Sequence, residues 1–265
     1  MRIAIIGLAQ SGKSTVFTAL TGQHGWSADG LLESELTPVA EARRPAPNGQ
    51  TVEIIDTPGL CRGSSLGRGA GGAFLREIAD VDLLLVVVRL FGRGLIAMDH
   101  PERSVDGFRD ARIVDEELAM SDASAIREWL GSDSGGGAEK GAALAAILNA
   151  IEHGQMARTM GLAADELRDL TEIDLLTAKP LILIANVDEE DLYSETGLPF
   201  PDELRQKAEI AGTPLLVCCA RLEADSACVA DTGTEASDGL VDELTGGQDL
   251  LTRVYSVCEH SGLFA

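Results

Sequence analysis

Eight consecutive residues near the start, Gly7-Leu8-Ala9-Gln10-Ser11-Gly12-Lys13-Ser14, have the types and spacing needed to hold phosphates. They fit G-x-x-x-x-G-K-[ST], in which glycines permit a tight loop whose backbone N–H groups converge on phosphate oxygens. Gly7, Ala9, Gln10, Ser11, Gly12, Lys13, Ser14 and Thr15 are the candidate phosphate contacts. Lys13 would reach the β- and γ-phosphates, and the Ser14 hydroxyl would be a magnesium ligand. The plainer alternative is a glycine-containing turn between a strand and a helix.

A second cluster follows the run TVEIID, which ends in Asp56. A carboxylate at the end of a second strand is where such enzymes hold the outer shell of a magnesium ion. Asp56-Thr57-Pro58-Gly59 makes a D-x-x-G, and the Gly59 N–H can report the presence of a γ-phosphate. Residues 61–72, CRGSSLGRGAGG, contain five glycines in twelve. They read either as a flexible linker or as a switch ordered by γ-phosphate contacts. Thr37 is a further candidate for the magnesium ion, against the ordinary reading of a turn residue before a proline.

The elements that must position these groups are legible as patterns. A short apolar run, Ile3 to Ile6, predicts a buried strand before the loop, and Val16, Phe17 and Leu20 fall at helical spacing after it. Residues 39–44 suggest an edge strand, with a turn at Pro45-Ala46-Pro47-Asn48-Gly49. The run LLLVVV after Asp82 and the run PLILIA at 180–185 predict strands of a parallel sheet covered on both faces. The second run leads into Asn186-Val187-Asp188-Glu189, where a guanine-binding protein would carry N-K-x-D. Between these strands the pattern is helical from Asp110 to Leu130. It is helical again through Leu144, Ile147, Leu148 and Ile151, and from Ala163 to about Leu176. These segments predict a helical hairpin inserted at residues 115–178 into an α/β domain formed by 1–114 and 179–265. Later, a helix is expected at 202–211, a strand at 214–218, a loop or frayed helix at 223–239 and a closing helix at 248–258.

Composition narrows the function classes. The chain has 265 residues, a net charge of −22 and 4% aromatic residues, which suits an aliphatic α/β protein. Residues 1–112 carry 13 acidic and 12 basic side chains, so nearly all the excess negative charge lies in the rest. That acidic C-terminal half argues against a broad nucleic-acid-binding face. No apolar run reaches membrane-spanning length, and no leader precedes the first strand, so a cytoplasmic protein is expected. The five cysteines, Cys61, Cys218, Cys219, Cys228 and Cys258, lack metal-ligand spacing and read as reduced thiols.

With these residues in hand, the chain resembles the YchF branch of the Obg-related P-loop GTPases. The resemblance rests on GLAQSGKSTVFTALTG, IIDTPGLCRGSSLGRGAGGAFL, DEELAMSDASAIREWL, LLTAKPLILIANVDEEDL and the ending SGLFA. It implies a three-layer, Ras-like sheet, mostly parallel, with a coiled-coil insertion. It also implies Mg²⁺-dependent hydrolysis of ATP or GTP and a ribosomal or regulatory partner. Lys13 and Gly59 would serve catalysis, Ser14 and Asp56 the metal, and Asn186, Val187 and Glu189 the base.

Departures from the usual pattern are informative. Val187 stands for the base-covering Lys and Glu189 for the guanine-reading Asp of N-K-x-D, a change the YchF branch shares. The extra methylene of Glu189 displaces the two-pronged acceptor that guanine needs, which admits ATP at least as well as GTP. Ala9, Gln10 and Ser11 replace the usual P-N-V of the loop. Leu60 replaces the water-orienting Gln of Ras-like enzymes, so slow intrinsic hydrolysis is expected. Family members usually continue into a ubiquitin-like TGS domain, and the chain stops where that domain would start, so a member lacking it is expected. Two other classes fit the sequence: a nucleotide-dependent binding switch with negligible hydrolysis, and a degenerate paralogue kept as an interaction protein.

Overall fold

A computed structural model describes residues 1–23, 40–68, 71–92, 104–132, 138–162, 173–192, 202–232 and 248–261. Thr37, residues 163–172 of the third expected helix and the final Gly262-Leu263-Phe264-Ala265 lie outside them. In chain order the elements are β1 (Arg2–Ile6), α1 (Lys13–Thr21), β2 (Ala40–Pro45), β3 (Thr51–Asp56), α2 (Gly71–Glu77), β4 (Leu83–Arg89), α3 (Gly107–Gly131) and α4 (Ala138–Glu152). They continue with β5 (Leu181–Asn186), α5 (Glu189–Leu192), α6 (Asp202–Ile210), β6 (Leu215–Cys218), α7 (Ala220–Thr232) and α8 (Leu250–His260).

The strands form one sheet in the order β2-β3-β1-β4-β5-β6, parallel except for the β2 edge. Its central strand, β1, places Ile5 between Asp56 and Leu85. Alternation in a strand sends successive side chains to opposite faces, so the continuous apolar runs feed two cores. Ile3, Ile5, Leu83, Leu85 and Val87 pack with Val16, Phe17 and Leu20 of α1 and with Val254 and Tyr255 of α8. Ala4, Ile6, Leu84, Val86 and Val88 pack with Phe74 and Leu75 of α2 and with Ile113, Val114 and Leu118 of α3. The result is the expected three-layer α/β architecture.

Helix α3 starts earlier than the pattern suggested because Asp106 caps it, accepting from the Arg109 N–H at 2.9 Å. It runs without a break across residue 115. Its first half closes the sheet, while Ala119, Ala123 and Ile126 join Leu144, Ile147 and Ile151 of α4 in a separate small core. Of the stretch 223–239, expected as a loop or frayed helix, the residues up to Thr232 belong to helix α7, and 233–239 lie outside the described residues. The pattern hid it because the contact with the sheet core uses small side chains, Ala220 and Ala224, rather than large apolar ones.

The cysteines are free, with Cys218, Cys219 and Cys258 buried and Cys61 and Cys228 half-buried. Burial pushes the pKa of the Cys218 thiol up.

Candidate nucleotide-binding site

The loop between β1 and α1 lies at the C-terminal edge of the sheet, where ligands bind in open α/β folds. Gly12 adopts φ +93°, which lets α1 begin at Lys13 with its first N–H groups directed out of the helix end. A β-carbon there would also come within 2.3 Å of the Asn186 Nδ2, so glycine is required by space as well as by φ. Gln10 takes φ +63°, an uncommon value for a side chain-bearing residue, at the loop tip.

Lys13 is 6% exposed, and its Nζ donates to the Leu8 carbonyl at 2.8 Å. Burial lowers its pKa to about 8, partly offset by the attraction of Asp56. Asp56 is itself buried at the end of β3. Next to it, Thr57 donates its hydroxyl to the Ile5 carbonyl at 2.6 Å, tying the D-x-x-G to the central strand. A buried cation facing a buried carboxylate beneath a loop of N–H donors suits a ligand carrying phosphates and a hard cation. Ser14 follows Lys13 on the first turn of α1, half-buried. A hydroxyl with a carboxylate is an oxygen donor set that fits Mg²⁺, whose remaining positions are usually taken by water and substrate phosphate. Among the described residues, no group of three or more His, Cys, Asp or Glu side chains could hold a metal unaided.

Leu60 is clasped to the loop. Its N–H donates to the Gly7 carbonyl at 3.0 Å, and its carbonyl accepts from the Ala9 N–H at 3.2 Å. The side chain is 1% exposed and packs with Leu8 in the core. Gly59 is thereby pressed against Ala9.

Of the three base-reading candidates, the structure brings Asn186 to the phosphate loop. Its Nδ2 donates to the Ser11 carbonyl at 3.2 Å, and its Oδ1 accepts from the Ala220 N–H at 3.1 Å. Val187 is 2% exposed in the apolar core, with its N–H given to the Cys218 carbonyl. Glu189 is exposed at the start of α5. Asp188, between them, accepts from the Gly92 N–H at 2.6 Å.

Two neighbours escaped sequence reasoning. Phe91, just past β4, has ring carbon Cε1 at 3.6 Å from where a Gly12 β-carbon would sit. The Arg89 guanidinium lies 4.4 Å from its ring centre. A lone aromatic directly after a buried strand in an aromatic-poor chain was the available signal. Glu117, on α3, was also missed. It has no local sequence signal at all, because its partners lie more than fifty residues away.

Residues 2–122 match the family described as 50S ribosome-binding GTPase. The chain is 30% identical to the ribosome-binding ATPase YchF of Escherichia coli O157:H7 over 276 residues, covering 96% of this chain and 73% of that protein. It is 31% identical to the ribosome-binding ATPase YchF of Haemophilus influenzae, covering 87% and 68%. With the Obg-like ATPase homolog of Schizosaccharomyces pombe it shares 31% identity, covering 74% and 52%. The solved structure of the Schizosaccharomyces pombe YchF GTPase shares the fold, with a TM-score of 0.71 over 98% of this chain and 75% of that one, at 23% identity.

Proposed function

The chain belongs to the YchF family of P-loop ATPases and GTPases, and on that premise we propose that it binds ATP or GTP with Mg²⁺ and slowly hydrolyses the β–γ phosphoanhydride as a molecular switch. The observation that carries this reading is the convergence of Lys13, Asp56 and the Gly59–Ala9 contact under one loop. Catalysis would rest on positioning and charge neutralisation, without a covalent intermediate.

In this reading the loop N–H groups and Lys13 bind the phosphates. Ser14 and Asp56 would hold Mg²⁺, which when bound neutralises phosphate charge. Gly59 reads the γ-phosphate. Asn186 faces the base from the loop side, Glu189 supplies the altered acceptor, and Val187 contributes through its backbone and by supporting Asn186 from the core. The buried apolar side chain of Leu60 cannot orient a water, which supports slow turnover. The same observation favours the second reading, a nucleotide-dependent regulatory protein without significant hydrolysis of its own.

The segment 115–178 acts in this proposal as an insertion with its own small core. Relatives named ribosome-binding ATPases make a ribosome or an associated regulatory protein the partner to test. No helix among the described residues is long and apolar enough to cross a membrane.

Calorimetric titration of non-hydrolysable ATP and GTP analogues, with Mg²⁺, tests the core of this. ATP-analogue binding at least as tight as GTP-analogue binding is expected. A GTP preference above about tenfold, about 1.4 kcal/mol, would overturn the reading of Glu189. Binding of neither would overturn the nucleotide reading itself.

A further inference from the structure

Glu117 is a buried carboxylate on α3, 3% exposed, with no place in the nucleotide site as described above. Its two oxygens are used separately. Oε1 accepts from the Gly63 N–H at 2.6 Å, while Oε2 accepts from the Ser65 N–H at 2.8 Å and the Ser65 hydroxyl at 2.7 Å. These donors sit at the head of a short 3-10 turn, Ser64–Leu66, where backbone N–H groups lack partners inside the turn. The Gly63 φ of +86° points the chain into this arrangement. Arg62 adds an ion pair at 3.0 Å to Glu116, the neighbour of Glu117 on α3.

The segment so held begins immediately after the D-x-x-G. Its upstream end is fixed on the phosphate loop by the Leu60 hydrogen bonds to Gly7 and Ala9. Its downstream end is fixed by Glu117. Between these two anchors the Cys61 N–H donates to the Ser64 hydroxyl oxygen at 2.9 Å and Arg62 pairs with Glu116, so the whole stretch is held. The Gly59 N–H therefore directly precedes a stretch whose ordering is shared between the loop and α3.

We infer that Glu117 is a positioning residue for γ-phosphate recognition, holding Gly63 and Ser65 so that Gly59 meets a triphosphate on an already ordered segment. The inference rests on the nucleotide reading above. Its physical basis is that ordering a glycine-rich segment costs conformational entropy, which would otherwise be lost when the γ-phosphate binds. A diphosphate makes no demand on Gly59, so its affinity is independent of Glu117. The same helix also grips the approach to β5. Asp122 accepts from the N–H groups of Leu176 and Thr177 at 2.9 and 2.7 Å. One continuous helix thus contacts both the segment after Gly59 and the chain leading to Asn186.

Glu117→Gln separates positioning from mere support, because it keeps the shape but leaves one acceptor oxygen for three donors. With Glu117→Gln, a non-hydrolysable ATP analogue should bind about tenfold more weakly while ADP binds as in the parent. Amide exchange at Gly63 and Ser65 should also speed up by about tenfold. Ser65→Ala, which removes only the hydroxyl donor, should shift both readouts in the same direction by less. A parent-like ratio of triphosphate to diphosphate affinity in Glu117→Gln would overturn the inference alone, as would unchanged exchange at Gly63 and Ser65. A parent chain that binds neither nucleotide would overturn the nucleotide reading and this inference with it.

Discussion

Gly59 lies so close to Ala9 that a β-carbon placed on it would stand 2.5 Å from the Ala9 Cα and 2.7 Å from the Ala9 nitrogen. The glycine proposed to read the γ-phosphate and the phosphate loop are thus in backbone contact, and their separation cannot change without breaking the Leu60 clasp.

Gly59→Ala should destabilise the fold by about 1–3 kcal/mol, the usual cost of overpacking a tight contact. It should also weaken triphosphate-analogue binding more than diphosphate binding. Adding Ala9→Gly removes one obstructing carbon but leaves the two backbone atoms in place, so the double variant should not recover. Urea unfolding and analogue titration on the single and double variants check this, and full recovery in the double variant would refute the backbone origin of the contact.

Lys13→Ala should abolish nucleotide binding in the parent background. The lysine also sets a pH dependence, since its pKa falls from the ordinary 10.5 to about 8. Phosphate binding needs the ammonium, so analogue affinity should decline above pH 8, approaching tenfold per pH unit. For stability the sign is opposite. Below about 8 the lysine is charged in both folded and unfolded chains, and the folded state carries the full cost of burying that charge. Between about 8 and 10.5 only the unfolded chain holds the proton, so the parent should gain stability relative to Lys13→Met as pH rises. Denaturation of both proteins from pH 7 to 10 measures this difference.

Asn186→Ala removes a brace between two segments, leaving the Ser11 carbonyl and the Ala220 N–H without their buried partner. A loss of about 2–3 kcal/mol in unfolding free energy is expected. If Asn186 acts mainly through the loop, ATP- and GTP-analogue affinities should fall by similar factors. A much larger loss for one of them would place its main role in reading the base.

Asp122 offers a second titration. Burial raises its pKa from the ordinary 3.8 to about 6, despite hydrogen bonds from Thr177 and Leu176 that favour the charged form. Between about 4 and 6 the folded state binds a proton that the unfolded chain does not, so this group adds stability as pH falls through that window. Relative to Asp122→Asn, the parent should gain roughly 1–3 kcal/mol between pH 7 and pH 4. A pH-independent difference between the two unfolding curves would show that the carboxylate does not titrate there.

The sequence signals the proposed chemistry where the candidate groups are neighbours in the chain. Lys13 and Ser14 fall within one loop, Asp56 and Gly59 within one turn, and the apolar runs at β1, β4 and β5 announce a sheet buried on both faces. Strand pairing then follows, because such runs have no other way to cover both faces. Two element boundaries carry little local signal. Helix α7 packs through alanines, which carry little hydrophobic signal, and the start of α3 depends on the single cap Asp106.

What the sequence by itself determined was therefore the phosphate loop, the D-x-x-G and the layered sheet that presents them, since each is written in residues close together along the chain. The tertiary structure alone decided how these parts are tied to one another. Asn186 reaches Ser11 across 175 positions, Glu117 reaches Gly63 across 54, and Leu60 meets Gly7 and Ala9 across about fifty. It also decided that the Val187 side chain belongs to the core while Glu189 faces solvent. No periodicity or motif encodes such pairs. A polar side chain finds its partner only after the sheet and helices have folded, when burial makes an unmet hydrogen bond costly.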